Sequence, residues 1–337
     1  MHTTQSEKQD TPINRVIENF SPELAAQLRQ VYIHIMSGKE LRGWNPKWNI
    51  QFRPENKIFL YYRGNALVLT IYKKSNAFNV CSTNNTLKEK APEIFQSSLV
   101  KEATDKRIGI AMEELFKLLI QENWLEIMEK VIDDNYKKQN KESQRGEEER
   151  EDQEKEVEQR LAAKLEGRSD FFVIDTEIRI SGQVQKDDML ALQRAQDGTY
   201  NFVPIELKLS SDAGTERKRG GNKRNAVGQA CEFCKTVKKN IDKFKESYKI
   251  IYNHKCDLGI FNGTSEIEIL SDVMNPIVLV IGESNDAVQK LEKHAKDKTW
   301  NKDGEKGCEG CEAKNVCVVT VRCCSETDFI NHPLGRE

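Results

Sequence analysis

The chain has 337 residues, 37% of them hydrophobic and 31% charged, with a formal net charge of -2. That length suits two modest domains or one domain with an extension. No apolar run approaches the ~20 residues that span a bilayer, and the opening MHTTQSEKQDTP lacks the apolar stretch of a secretory signal. A cytoplasmic protein outside the membrane is therefore expected.

In chain order, residues 1–12 are polar. A helix start is marked by Ser21 as N-cap, Pro22 at the first helical position and Glu23 in the first turn. Leu24, Leu28, Val31 and Ile35 then recur at helical spacing and form a core-facing stripe. Four short runs rich in β-branched and aromatic residues follow: Trp48 to Phe52, Ile58 to Tyr62, Ala66 to Tyr72 and Ala77 to Cys81. Helical patterns occupy Ile108 to Gln121 and Trp124 to Tyr136, so residues 13–136 read as a small α+β module. Its aromatics Trp44, Trp48, Tyr61 and Tyr62 stand among Arg and Lys, which points to a part in substrate recognition as an alternative to core packing.

Residues 137–154 are almost wholly polar and charged and read as a linker or a solvated helix. A second domain spans 155–330. It opens with a helical stripe at Val157, Leu161 and Leu165. Strands are expected at Phe171 to Ile180, Met189 to Leu192, Phe202 to Leu209, Tyr248 to Tyr252, Ile277 to Ile281 and Val318 to Val321. One helix is expected over Val227 to Phe244 and another from Asp286. Such alternation is an α/β pattern.

The chemistry concentrates in Ile205-Glu206-Leu207-Lys208, inside the apolar run FVPIELKL. A strand alternates faces, so Glu206 and Lys208 point the same way. A carboxylate and an ammonium buried there need partners. A divalent metal satisfies the first, and a phosphate or a metal-bound water satisfies the second. Asp188 opens the run Met189 to Leu192, and a turn at Gln193 to Thr199 leads back into the Glu206 strand. This hairpin brings Asp188 beside Glu206. Asp187 competes with Asp188, and Asp175 or Glu177 supplies the acid if the hairpin lies elsewhere. The structural alternative is an ion pair of Glu206 with Lys208 on an edge strand.

An acid, a hairpin and then Glu-x-Lys on the next strand resemble the PD-(D/E)XK nuclease superfamily. The resemblance covers about residues 150 to 250. It implies a restriction-endonuclease-like mixed sheet flanked by helices, preceded here by the α+β module. It also implies hydrolysis of phosphodiester bonds in DNA, with Mg²⁺ or Mn²⁺ bound by Asp188, Glu206 and the carbonyl of Leu207. Lys208 would orient or activate the attacking water, and Glu158 would be the glutamate that the family often places on the helix before the sheet. Gln229-Ala230-Cys231-Glu232-Phe233 is similar to the Gln-containing motif of the RecB-type branch, with Phe233 where that branch usually has tyrosine. The preceding RKRGGNKR loop, with Arg217, Lys218, Arg219, Lys223 and Arg224, combines glycines with cations as a phosphate-contacting loop would. A role in restriction or defence fits the resemblance.

The chain has nine cysteines. In a reducing compartment clustered cysteines point to metal before disulfides. Cys308, Cys311 and Cys317 form C-x2-C-x5-C, which resembles the C-terminal cysteines of iron–sulfur nucleases in the RecB-type branch. Cys81 is the one cysteine placed ahead of the nuclease core. Zn²⁺ is the competing metal, with Cys231 and Cys234 or Cys323 and Cys324 completing a site. Two other classes stay open: a catalytically silent nucleic-acid-binding protein of the same fold, and a cysteine-centred zinc interaction module.

Overall fold

The computed structural model describes residues 20, 22–40, 48–53, 57–62, 66–74, 77–81, 129–134, 146–165, 168–179, 186–211, 217–219, 222–261, 267–298 and 318–334. It is a mixed α/β structure. Helix α1 (Pro22–Glu40) starts where the Pro22 and Glu23 signals place it, and Leu24 and Leu28 are buried. Strands β1 (Trp48–Arg53), β2 (Lys57–Tyr62), β3 (Ala66–Lys74) and β4 (Ala77–Cys81) form an antiparallel sheet in sequence order. Strand β2 alternates half-buried and buried residues, the signature of a sheet with one face on a core. Tyr62 is buried in that core and donates from its hydroxyl to Asp133 at 3.2 Å, so it packs rather than offering its ring to a substrate. The helical pattern at Ile108 to Gln121, together with Trp44, lies outside the described residues.

The second half is built on a six-stranded mixed sheet. Strands β5 (Phe171–Arg179), β6 (Lys186–Arg194) and β7 (Tyr200–Leu209) form an antiparallel meander. Strand β7 then pairs in parallel with β10 (Ile269–Val273) over its first half and with β11 (Ile277–Ile281) over its second. Beyond β11 lies β12 (Thr320–Cys324), giving the path β12-β11-β7-β6-β5 with β10 beside β7.

Helices cover both faces. The side chains of Leu190, Leu192, Phe202, Val278 and Val280 pack under α3 (Ala226–Lys239), α4 (Ile241–Asp257) and α5 (Asp286–Asp297). The alternate residues Met189, Ala191, Ile205, Leu207 and Leu279 pack under α2 (Gly146–Leu165) and α6 (Glu326–Asn331). This period-two division makes β7 an interior strand with an apolar layer on each side. The N-terminal residues Leu28, Ile50, Phe52, Ile58 and Leu60 join the first of these cores, beside Ile174 and Ile178 of β5.

Several elements differ from expectation. Tyr248 to Tyr252 is helical, because Phe244, Tyr248, Ile251 and Tyr252 fall at helical spacing and form the buried side of α4. The helix expected over Val227 to Phe244 is two helices that meet at Asn240 (φ -116°, ψ 25°). The RKRGGNKR loop is a two-stranded ribbon, β8 (Arg217–Arg219) against β9 (Asn222–Arg224). Helix α2 begins at Gly146, so the charged segment read as a linker or a solvated helix is helical from there. Among the described residues no helix is long and apolar enough to cross a membrane.

Candidate active site

The β6–β7 hairpin closes as its turn chemistry dictates. Gly198 takes φ +90°, which favours glycine, and donates to the Ala195 carbonyl at 3.0 Å. Asp197 accepts from the Thr199 N–H at 3.0 Å. The resulting register pairs Met189 with Ile205, and one further step along both strands sets Asp188 against Glu206. Asp188 lies within β6 rather than at its start, and its Oδ2 accepts from the Leu207 N–H at 2.8 Å.

Lys208 is the hub. Its Nζ lies 2.8 Å from Glu206 Oε1, 3.2 Å from Glu154 Oε1 and 3.5 Å from Asp188 Oδ2. It also donates to the Leu207 carbonyl. The Lys208 and Glu206 side chains are 3% and 2% exposed. The pair exists, but on an interior strand, so the edge-strand alternative does not describe it.

Helix α2 adds two acids. Glu154 and Glu158, one turn apart, are both buried and share a side of the helix with Val157 and Leu161. Glu158 Oε1 accepts from the Glu177 N–H at 3.1 Å. Burial is the main cause that holds the Glu158 carboxyl well above the usual range, reinforced by Asp188, Glu177 and Glu154. Burial likewise raises Glu206 to about 8, with Asp188 adding to the rise and Lys208 opposing it. Three carboxyl groups, those of Glu206, Glu154 and Asp188, thus surround one ammonium, with Glu158 near Asp188 and Glu154, and a second positive charge would lower the energy of the cluster. Glu206 Oε2 is buried with no hydrogen-bond partner.

The other candidates separate. Asp175 accepts from the Tyr248 hydroxyl at 2.8 Å and from the Thr176 N–H, which turns it toward α4. Glu177 is paired with Arg53 at 3.0 Å. Asp187 is buried, but adjacent strand residues face opposite ways, and Asp188 is the one that reaches Lys208. Gln229 is buried on α3, the helix over the sheet face to which the alternation of β7 assigns Glu206 and Lys208.

Cys231 and Cys234 are buried, unoxidised residues of α3, and Cys234 Sγ lies 3.9 Å from the Met274 carbonyl. Cys323 packs against the α3–α5 core and Cys324 against the α2 core, so this adjacent pair points to opposite faces and does not converge. Cys308, Cys311 and Cys317 lie outside the described residues.

Sequence reasoning missed Glu154, because it sits in a run of charges. The available signal was its spacing: residues 154, 157, 158, 161 and 165 trace one helical stripe, with acids at two otherwise apolar positions. It also missed Arg53, whose role appears only once β1 is docked on β5.

The donor set is all oxygen, which suits a hard divalent cation. Among the described residues no three Asp, Glu, His or Cys side chains converge closely enough to enclose an ion, and the Lys208 ammonium is what the carboxylates face. Comparison with protein-family profiles, with curated proteins and with solved structures gave no match.

Proposed function

We infer that this protein is a divalent-metal-dependent nuclease that hydrolyses phosphodiester bonds in DNA, with a restriction-endonuclease-like core. The observation that carries the reading is the crowding of acidic side chains around the buried Lys208. Crowding Glu206, Glu154 and Asp188 around one buried ammonium is costly, and strongly perturbed acids of this kind cluster at functional sites. Glu206 Oε2, buried without a hydrogen-bond partner, is an oxygen that a cation would satisfy. The β5–β6–β7 meander followed by parallel β11, with α2 on one face and α3 on the other, is the frame such a core requires.

Asp188, Glu206 and the Leu207 carbonyl would hold Mg²⁺ or Mn²⁺. When bound, the metal supplies charge for the phosphoryl oxygens and acidity for a bound water. Lys208, released from its carboxylates, donates to the attacking water or to the scissile phosphate and orients it for in-line attack. Glu154 and Glu158 close the acidic ring from α2. The raised carboxyl of Glu158 is suited to holding a proton near neutral pH. Arg217, Lys218, Arg219, Lys223 and Arg224, on the β8–β9 ribbon just ahead of α3, supply backbone-phosphate contacts without reading sequence.

The test is cleavage of linear, circular and single-stranded DNA with Mg²⁺ or Mn²⁺, wild type beside Lys208→Ala and Asp188→Ala. Activity in the wild type that disappears in both folded variants is the expected result. Activity that survives both refutes the site. A wild type that binds DNA in a salt-dependent way but cuts none of the three substrates refutes catalysis and leaves a binding protein.

A further inference from the structure

Arg53 ends β1, far from the acids in sequence, yet its side chain is 9% exposed and aimed at β5. Its Nη2 lies 3.0 Å from Glu177 Oε2. Its Nη1 donates to the Glu177 carbonyl at 3.1 Å and to the Thr176 carbonyl at 3.5 Å. Gln51, two residues earlier, accepts from the same guanidinium and donates to Thr176 Oγ1 at 2.9 Å. Gln159 of α2 donates to that hydroxyl from the other side at 3.1 Å. One patch therefore ties the N-terminal sheet, β5 and α2 together.

At the centre of the patch the backbone is strained. Glu177 has φ +48°, in the left-handed region, although it is a β-strand residue with a full side chain. Such a conformation persists where its surroundings over-determine it. Arg53 does this by gripping both the carboxylate and the carbonyl of Glu177, with Lys155 Nζ 4.0 Å from the second carboxylate oxygen. The consequence is the direction of the Glu177 N–H, which donates to Glu158 Oε1 at 3.1 Å. Glu158 in turn acts on Asp188 and Glu154, two of the acids around Lys208.

We propose that Arg53 and Glu177 form a clamp through which the N-terminal sheet sets the Glu158 carboxylate in the metal site. Arg53 is then a positioning residue for the reaction, and the N-terminal module is part of the catalytic machinery. This rests on the nuclease reading of the cluster. A clamp of this kind acts through the orientation of a side chain beside the metal ligands. Its loss lowers metal affinity and turnover while leaving the grip on DNA alone.

The experiment uses the full chain. Mn²⁺ binding is titrated by electron paramagnetic resonance without DNA, and kcat and KM for DNA cleavage are measured alongside circular dichroism. Arg53→Ala and Glu177→Gln are each expected to weaken Mn²⁺ binding and lower kcat by about 10- to 100-fold, with KM for DNA unchanged. The double variant should be no worse than the poorer single one, since both cut the same link. Arg53→Lys keeps the charge but loses the planar fork, and should fall between. Wild-type Mn²⁺ affinity and kcat in a folded Arg53→Ala protein would overturn the clamp. So would loss of fold in both single variants, which would make the patch purely structural. A wild type that neither binds Mn²⁺ nor cuts DNA would overturn the site reading itself, and the clamp with it.

Discussion

Replacing Lys208 with Met keeps the length and most of the volume of the side chain and removes only its charge. Three carboxylates then lose their shared counter-ion: Glu206 at 2.8 Å, Glu154 at 3.2 Å and Asp188 at 3.5 Å. Glu206 and Glu154 matter most, because their side chains are 2% and 7% exposed against 16% for Asp188, and solvent screens them least. Removing one member of a buried ion pair costs about 3–5 kcal/mol, because the other charge is left uncompensated. Lys208→Met should therefore lower the unfolding free energy by up to about that amount at pH 9, above the raised Glu206 value of about 8, without metal. Adding Glu206→Gln removes the main stranded charge and should restore part of the loss, with a coupling of about 0.5–3 kcal/mol in the double-mutant cycle. The assay is urea unfolding followed by circular dichroism, with a constant m-value as the check that only stability changed. A Lys208→Met protein as stable as the wild type, with no coupling to Glu206, would refute the reading of Lys208 as a buried counter-ion.

His254 should make stability fall in acid. Its ring packs against Phe20 and Phe52, with centroids at 4.2 and 5.5 Å, and burial lowers its pKa from 6.5 to about 4. Between those values the unfolded chain takes up the proton and the folded chain does not. Its contribution is thus intact above pH 6.5 and is lost as pH falls toward 4, at up to about 1.4 kcal/mol per unit. Unfolding curves of wild type and His254→Phe across that window should diverge, and parallel curves would count against it. Asn225 caps α3 by accepting from the Gly228 N–H at 2.9 Å, so Asn225→Ala should cost about 1 kcal/mol and Asn225→Asp much less, read as urea midpoints.

The parts of the fold legible in sequence are those whose pattern is local. The four N-terminal strands, β11 and the start of α5 follow from short apolar runs and turn or cap residues. So does the β6–β7 hairpin, and through it the approach of Asp188 to Glu206. Where tertiary packing decides, the reading went astray. Tyr248, Ile251 and Tyr252 have strand-forming side chains, yet the core beneath α4 takes them as a helical stripe. Strand β10 escaped notice because it is short and irregular, paired with β7 only at Tyr200 and Phe202. In the site, Glu206 and Lys208 announce themselves by standing charged in an apolar strand. Glu154 does not, because charge is the background of its segment. Arg53 and Glu177 are 124 residues apart, and no local pattern links them.

The left-handed turn of Glu177 has a consequence of another kind. Strand β5 is the last strand of the described sheet on its side, and such an edge is a template on which another molecule's strand can add. Here two of its carbonyls, those of Thr176 and Glu177, are already taken by the Arg53 guanidinium, and the kink between them breaks the row of pairing groups. A cation and a backbone irregularity are two devices that natural sheets use against edge-to-edge aggregation. The N-terminal sheet thus also occupies part of the β5 edge, where a strand from another copy of this chain would otherwise add.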